Sequence, residues 1–168
     1  VFNVFKQRLA AEAVAQKLVE GTDPADLLKL CQGRYAAADL ERLFSELLTL
    51  QIFLVDYNLW FAIADAAQRK KVLDAYYPLA TAATSLGSEF YRTEAFVERM
   101  RTYGAAMKGA KGLQGLVTAA LGYFSLKPGA PESAQPMEAS LTLYCNLMSK
   151  TIQSALKKVL ILEPKHAH

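Results

Sequence analysis

An all-α fold, a single-domain irregular bundle of about six helices around one long central helix, is what this sequence predicts. The segment from Leu47 to Ala64, LLTLQIFLVDYNLWFAIA, is apolar around nearly its whole circumference, as suits a helix enclosed by others. Alanine and leucine, both strong helix formers, recur throughout, and 52% hydrophobic against 21% charged residues is a globular composition. Sustained two-residue alternation bounded by hairpin turns is missing, so a sheet is not expected. With 168 residues the chain fits one domain, 1–168, and chains of that size bury roughly two thirds of the surface they expose when unfolded.

Val1 to Glu20 reads as a first helix, with Phe2, Phe5, Leu9, Val14 and Leu18 along one drifting stripe and Gly21 as its stop. Asp23, Pro24 and Asp26 then give a start signal: Asp23 accepts from free amides, Pro24 tolerates the first helical position, and Asp26 favours the positive end. A short helix to about Gln32 follows, closed by Gly33. From about 36 to 70 the pattern supports the central helix, roughly 50 Å long at the standard rise. Leu40, Leu43, Phe44, Leu47 and Leu48 face inward there, and Glu41, Arg42, Ser45 and Glu46 outward. The cluster Arg69, Lys70, Lys71 suits its carboxyl end. Pro78 predicts a kink or break, followed by a helical piece to Leu86, with Ser88 capping the next helix.

That next helix carries Phe96, Met100, Tyr103 and Met107 at helical spacing and ends near Lys108. Five glycines, Gly104, Gly109, Gly112, Gly115 and Gly122, then weaken helix propensity. Leu113, Leu116, Val117, Leu121 and Phe124 nevertheless keep the helical period, which predicts a closely packed helix over 112–126. Lys127 to Pro136, KPGAPESAQP, is the expected flexible linker. The last helix has an inward stripe of Met137, Leu141, Tyr144, Cys145, Met148, Ile152, Leu156 and Val159.

The net charge of +3 gives a mild field with little steering toward polyanions, so no nucleic-acid partner is expected. Acids predominate from Thr22 to Leu50 and bases from Gly87 to Lys127, a pattern that a solvated mixed surface accounts for. Cys31 and Cys145 lie far apart in sequence and read as reduced core thiols, which cross-link only if their alpha carbons approach within about 7 Å. No secretory signal is visible and the chain begins at Val1, which leaves a processed start open; a cytoplasmic setting is the expectation. The longest uncharged run, Gly112 to Leu126, falls short of the roughly 20 apolar residues that span a bilayer, so no transmembrane segment is expected.

No reaction is announced, and whether the chain is an enzyme stays open. The only histidines, His166 and His168, stand at the extreme carboxyl end, so Glu-x-x-His metal pairs, an internal haem ligand and the usual base for a serine or cysteine nucleophile are lacking. No cofactor is expected. Glu94 with Glu98 is an ordinary surface pair; Gly109, Gly112 and Gly115 lack the strand and Gly-Lys-Ser/Thr ending of a nucleotide loop. Lys108 and Lys111 are too few for a phosphate or lipid surface.

Asp56 is the most pointed residue. It falls among Phe53, Tyr57, Trp60 and Phe61, where a buried unpaired carboxylate would cost several kcal/mol. The spacing Arg42, Glu46, Thr49, Phe53, Asp56 also describes a narrow polar stripe by which Asp56 reaches water or a base. Asn58 needs hydrogen bonds if buried. Two expectations for function follow. The first is a non-enzymatic helical domain that associates with itself or another protein through apolar residues left over from the core. The alternative is a small-ligand sensor or carrier with an apolar, tyrosine-rich pocket near Asp56 and Trp60, lined by Asp56, Tyr57, Asn58, Trp60, Tyr76, Tyr77 and Tyr103.

Overall fold

The computed structural model describes residues 7–22, 37–82, 89–124, 134–157 and 159–161. The described helices are α1 (Ala11–Gly21), α2 (Ala37–Ala62), α3 (Ala66–Ala82), α4 (Glu94–Lys108), α5 (Leu113–Phe124) and α6 (Ala134–Lys157), with a 3-10 turn at Phe90–Arg92. The fold is thus an all-α single-domain bundle, with six helices among the described residues. Its only departure among the described residues is a parallel pairing of two three-residue strands, β1 (Gln7–Leu9) and β2 (Val159–Ile161), with Gln7 opposite Val159.

Helix α2 is the axis. Leu43, Leu47, Leu50, Ile52, Leu54, Val55 and Leu59 on it are fully buried. Over Glu46–Val55 positions in every direction around the helix are covered, because α3, α4, α5 and α6 all pack on it. Helix α1 closes another side by packing on α3 and α6. The last helix buries the predicted stripe Met137, Leu141, Cys145, Met148, Ile152 and Leu156, with Tyr144 half-buried. Cys145 is a free thiol, which burial pushes up to about 12.

Several boundaries differ from the sequence expectations, each for a local reason. The central helix ends at Ala62 rather than near 70. Asp65 starts a new helix: its Oδ1 accepts the Gln68 amide at 2.7 Å and its carbonyl accepts the Arg69 amide at 3.0 Å. The aspartate cap and Gln68 three residues on occupy capping-box positions. The basic cluster Arg69–Lys71 therefore lies in the first turns of α3, not at a carboxyl end. Pro78, expected to kink or break the helix, does not break it: it lies inside α3, where the Thr81 hydroxyl donates to the Tyr77 carbonyl at 3.0 Å. The first helix begins at Ala11, because residues 7–9 are recruited as a strand by the distant segment 159–161. Val159, placed on the helical stripe by its spacing, belongs to that strand.

Glu46 also departs from expectation: it points inward and is 7% exposed. Arg99 of α4 explains it, donating from Nε and Nη2 to both carboxylate oxygens at 2.9–3.0 Å while its guanidinium stacks 4.2 Å from the Tyr123 ring centre. Helix α4 is capped by Thr93, whose hydroxyl accepts the Phe96 amide. The close approach expected of the glycine-rich segment occurs at Gly115, where an added Cβ would stand 2.9 Å from the Ala106 carbonyl oxygen. Helix α6 begins at Ala134, so Pro136 sits in its first turn. The Asp23–Gln32 helix, Gly33, Cys31, the Leu86–Ser88 boundary, the linker before Ala134, Lys158 and the terminal histidines lie outside the described residues.

Candidate functional site

The seven residues singled out from the sequence fall into separate environments. Tyr76 is fully buried and belongs to a polar hub centred on Gln51, itself 2% exposed. The Gln51 amide nitrogen donates to the Thr22 carbonyl at 3.0 Å and the Thr22 hydroxyl at 3.1 Å, with the Tyr76 hydroxyl 3.4 Å away. Its amide oxygen accepts the Tyr144 hydroxyl at 3.2 Å. This hub ties the end of α1, α3 and α6 to the axis. Asn58 makes a second tie, donating to the Leu54 carbonyl and to Ser149 Oγ and accepting from Gln153 at 2.9 Å.

Tyr57 and Tyr103 belong to an aromatic ladder. Ring centres run from Phe61 to Tyr57 at 5.0 Å, to Phe53 at 5.8 Å, to Tyr103 at 5.6 Å and to Tyr123 at 5.9 Å. The edge-to-face members have the geometry that ring quadrupoles favour. Its outer end is wet, with Phe61 70% exposed, its middle is dry, with Tyr103 fully buried, and its far end, Tyr123, is half-buried. The Tyr103 hydroxyl has no hydrogen-bond partner among the described residues, and burial drives its ionisation well above the usual phenol range. Tyr77 belongs to another aromatic group, with Tyr91 at 5.3 Å and Phe96 at 6.2 Å.

Asp56, Trp60 and Phe61 share the last turns of α2. Asp56 is half-buried and makes no hydrogen bond or ion pair with a described residue. Burial raises its carboxyl above the ordinary value of 3.8, and the charge of Arg69 opposes that rise. The Asp56 charge is also felt by Tyr77, whose phenol is pushed upward chiefly by burial. Arg69 does not bond the carboxylate because it is engaged elsewhere: its Nη1 donates to the Ile63 carbonyl at 2.6 Å and the Ala64 carbonyl at 3.0 Å. Its guanidinium also lies 4.2 Å from the Trp60 ring centre. Trp60 nonetheless remains 64% exposed.

The structure keeps Asp56 and Trp60 as neighbours four apart on one helix, whereas Tyr76, Tyr103 and Asn58 face other elements. The sequence expectation missed Arg69 as their neighbour, since that depends on the turn at residues 63–65. It also missed Leu143 and Leu147, which stand 60% and 54% exposed on α6. Their four-residue spacing, off the main stripe of that helix, was the available signal. Shallow open depressions flank them, one lined by Glu138, Ala139, Thr142, Leu143 and Asn146 and another by Leu147, Lys150, Thr151, Ser154 and Ala155.

Among the described residues no three or more His, Cys, Asp or Glu side chains come together as a metal site, and no helix is long and apolar enough to cross a membrane. No family model matches the chain, and neither a curated protein nor a solved structure compared with it does.

Proposed function

We propose that this chain is a non-enzymatic helical interaction domain that associates with another protein, or with itself, through apolar side chains held outside its core. The observation that carries this is the adjacent pair Trp60 and Phe61, 64% and 70% exposed at the wet end of a helix whose middle, Glu46–Val55, is enclosed. Exposed single leucines are ordinary, whereas two neighbouring aromatic rings kept in water make a large apolar anchor of the type that dominates interface energetics. Leu143 and Leu147 add a second apolar strip on α6. A small-ligand carrier is the weaker proposal, because Tyr76 and Tyr103 are spent in packing and Asn58 in hydrogen bonds to α6.

A photo-crosslinking phenylalanine analogue placed at position 61, and for comparison at exposed Lys71, tests this in the cells that make the protein. A discrete adduct from position 61 alone is the expected result. Equal, diffuse labelling from both positions, together with a monomer in sedimentation at every concentration, would remove the reading.

A further inference from the structure

The Trp60–Phe61 corner carries one feature that apolar docking alone leaves without a role. Asp56 projects one helical turn before Trp60, on the same side of α2, and positions four apart are neighbours on a helix surface. Its carboxylate is half removed from water and yet has no bonded partner among the described residues, although a cation stands nearby. That cation is fixed: Arg69 is held by the Ile63 and Ala64 carbonyls and covers one part of Trp60. It caps the end of α2 and is not spare to pair with Asp56. A half-desolvated, unbonded carboxylate bordered by exposed aromatic rings is complementary to a cation that arrives from outside with apolar flanks.

Resting on the interaction reading above, we propose that the Asp56–Trp60–Phe61 corner docks a protein segment in which an arginine or lysine is flanked by aliphatic residues. The cation pairs with the Asp56 carboxylate. The aliphatic groups cover Phe61 and the part of Trp60 that Arg69 leaves open. Water leaves the carboxylate only when its counter-ion is delivered, so the charge selects the partner while the rings supply the buried area.

Trp60 is the only tryptophan in the chain and reports on the site directly. The probe is the peptide acetyl-Leu-Arg-Leu-Leu-amide, with Gln and Glu in place of Arg as controls, titrated into the full chain while Trp60 emission is followed. The Arg peptide is expected to saturate the signal and bind about tenfold more tightly than the Gln peptide, as a charge-assisted pair implies. Asp56→Asn should bring the two peptides to equal affinity, and Asp56→Lys should reverse the order in favour of the Glu peptide. No saturable change with the Arg peptide up to its solubility limit overturns the proposal, as does an Arg preference that survives in Asp56→Asn. An emission change on raising protein concentration alone, unaffected by Asp56→Asn, overturns it in favour of a second copy as the occupant. An adduct from position 61 that persists unchanged in Asp56→Asn would leave the interaction reading standing and remove only the cationic partner.

Discussion

Arg69 stacks 4.2 Å from the centre of the Trp60 ring while donating to the two carbonyls that follow the end of α2. One side chain thus fixes both the corner between α2 and α3 and the attitude of the exposed indole. Replacing it with alanine should lower unfolding free energy by about 1–2 kcal/mol, less than the sum of its charge-assisted bonds and cation–π contact because water replaces part of each at this exposed corner. Urea denaturation measures the loss, and Arg69→Lys should recover only part of it because one ammonium cannot reproduce the planar fork.

Asp56 gives stability a defined pH dependence. Its carboxyl is raised in the folded chain by burial, so the neutral form is the one the fold favours. The associated stabilisation is fully present below the ordinary value of 3.8 and is lost as pH rises through the elevated folded value. Asp56→Asn should therefore melt at a higher temperature than the parent chain at pH 7, and the difference should vanish in acid below that ordinary value. A variant less stable at pH 7 would show that the carboxylate is bonded in solution.

The two tyrosines that are fully buried among the described residues, Tyr76 and Tyr103, should respond oppositely to loss of their hydroxyls. Tyr103→Phe removes an unpartnered buried hydroxyl and should leave stability unchanged or raise it by about 1 kcal/mol. Tyr76→Phe takes a partner from Gln51 and should lower it by about 1 kcal/mol. Paired denaturation curves decide the order.

Glycines 104 and 115 form a similar pair. A Cβ at Gly104 meets nothing within 4 Å, so Gly104→Ala in the body of α4 should stabilise by about 0.5–1 kcal/mol. At Gly115 the Cβ would meet the Ala106 carbonyl oxygen at 2.9 Å, and backbone cannot swing aside as a side chain can. Gly115→Ala should therefore push α4 and α5 apart and destabilise the chain by about 1–3 kcal/mol, read in the same assay.

Much of the bundle was legible because its strongest signals are local. The all-round apolar character of Leu47–Ala64 predicts an enclosed helix; Leu47–Val55 are indeed the centre of the core, whereas Asp56 and Tyr57 are half-buried and Trp60 and Phe61 stand exposed where the helix runs out. The stripes through Phe96–Tyr103 and Met137–Leu156 likewise follow from a 3.6-residue period that needs no knowledge of neighbours. What escaped was set by other parts of the chain. Glu46 looks like a surface acid until Arg99, 53 positions away, arrives to pair with it. Residues 7–9 become a strand only because 159–161 pair with them. The break after Ala62 was local and could have been found: Asp65 followed by Gln68 is a start signal that the surrounding apolar residues obscured.

The candidate site was half legible for the same reason. Asp56 and Trp60 share a helix and a face, so their adjacency follows from spacing. Tyr76, Tyr77 and Tyr103 look equally suited to a pocket in one dimension, yet each sits on a helix whose rotation is fixed by packing. Only the packed arrangement distinguishes a tyrosine that fills the core from one that lines a surface.

An interaction anchor at the end of α2 requires Trp60 to lie outside the core of the free chain. Acrylamide quenching of its fluorescence in the dilute monomer measures this directly. Emission at the wavelength of water-exposed indole, with quenching close to that of N-acetyltryptophanamide, is the predicted result. Blue-shifted emission that resists quenching in the monomer would mean that the ring is core, and that no anchor is left at the end of α2.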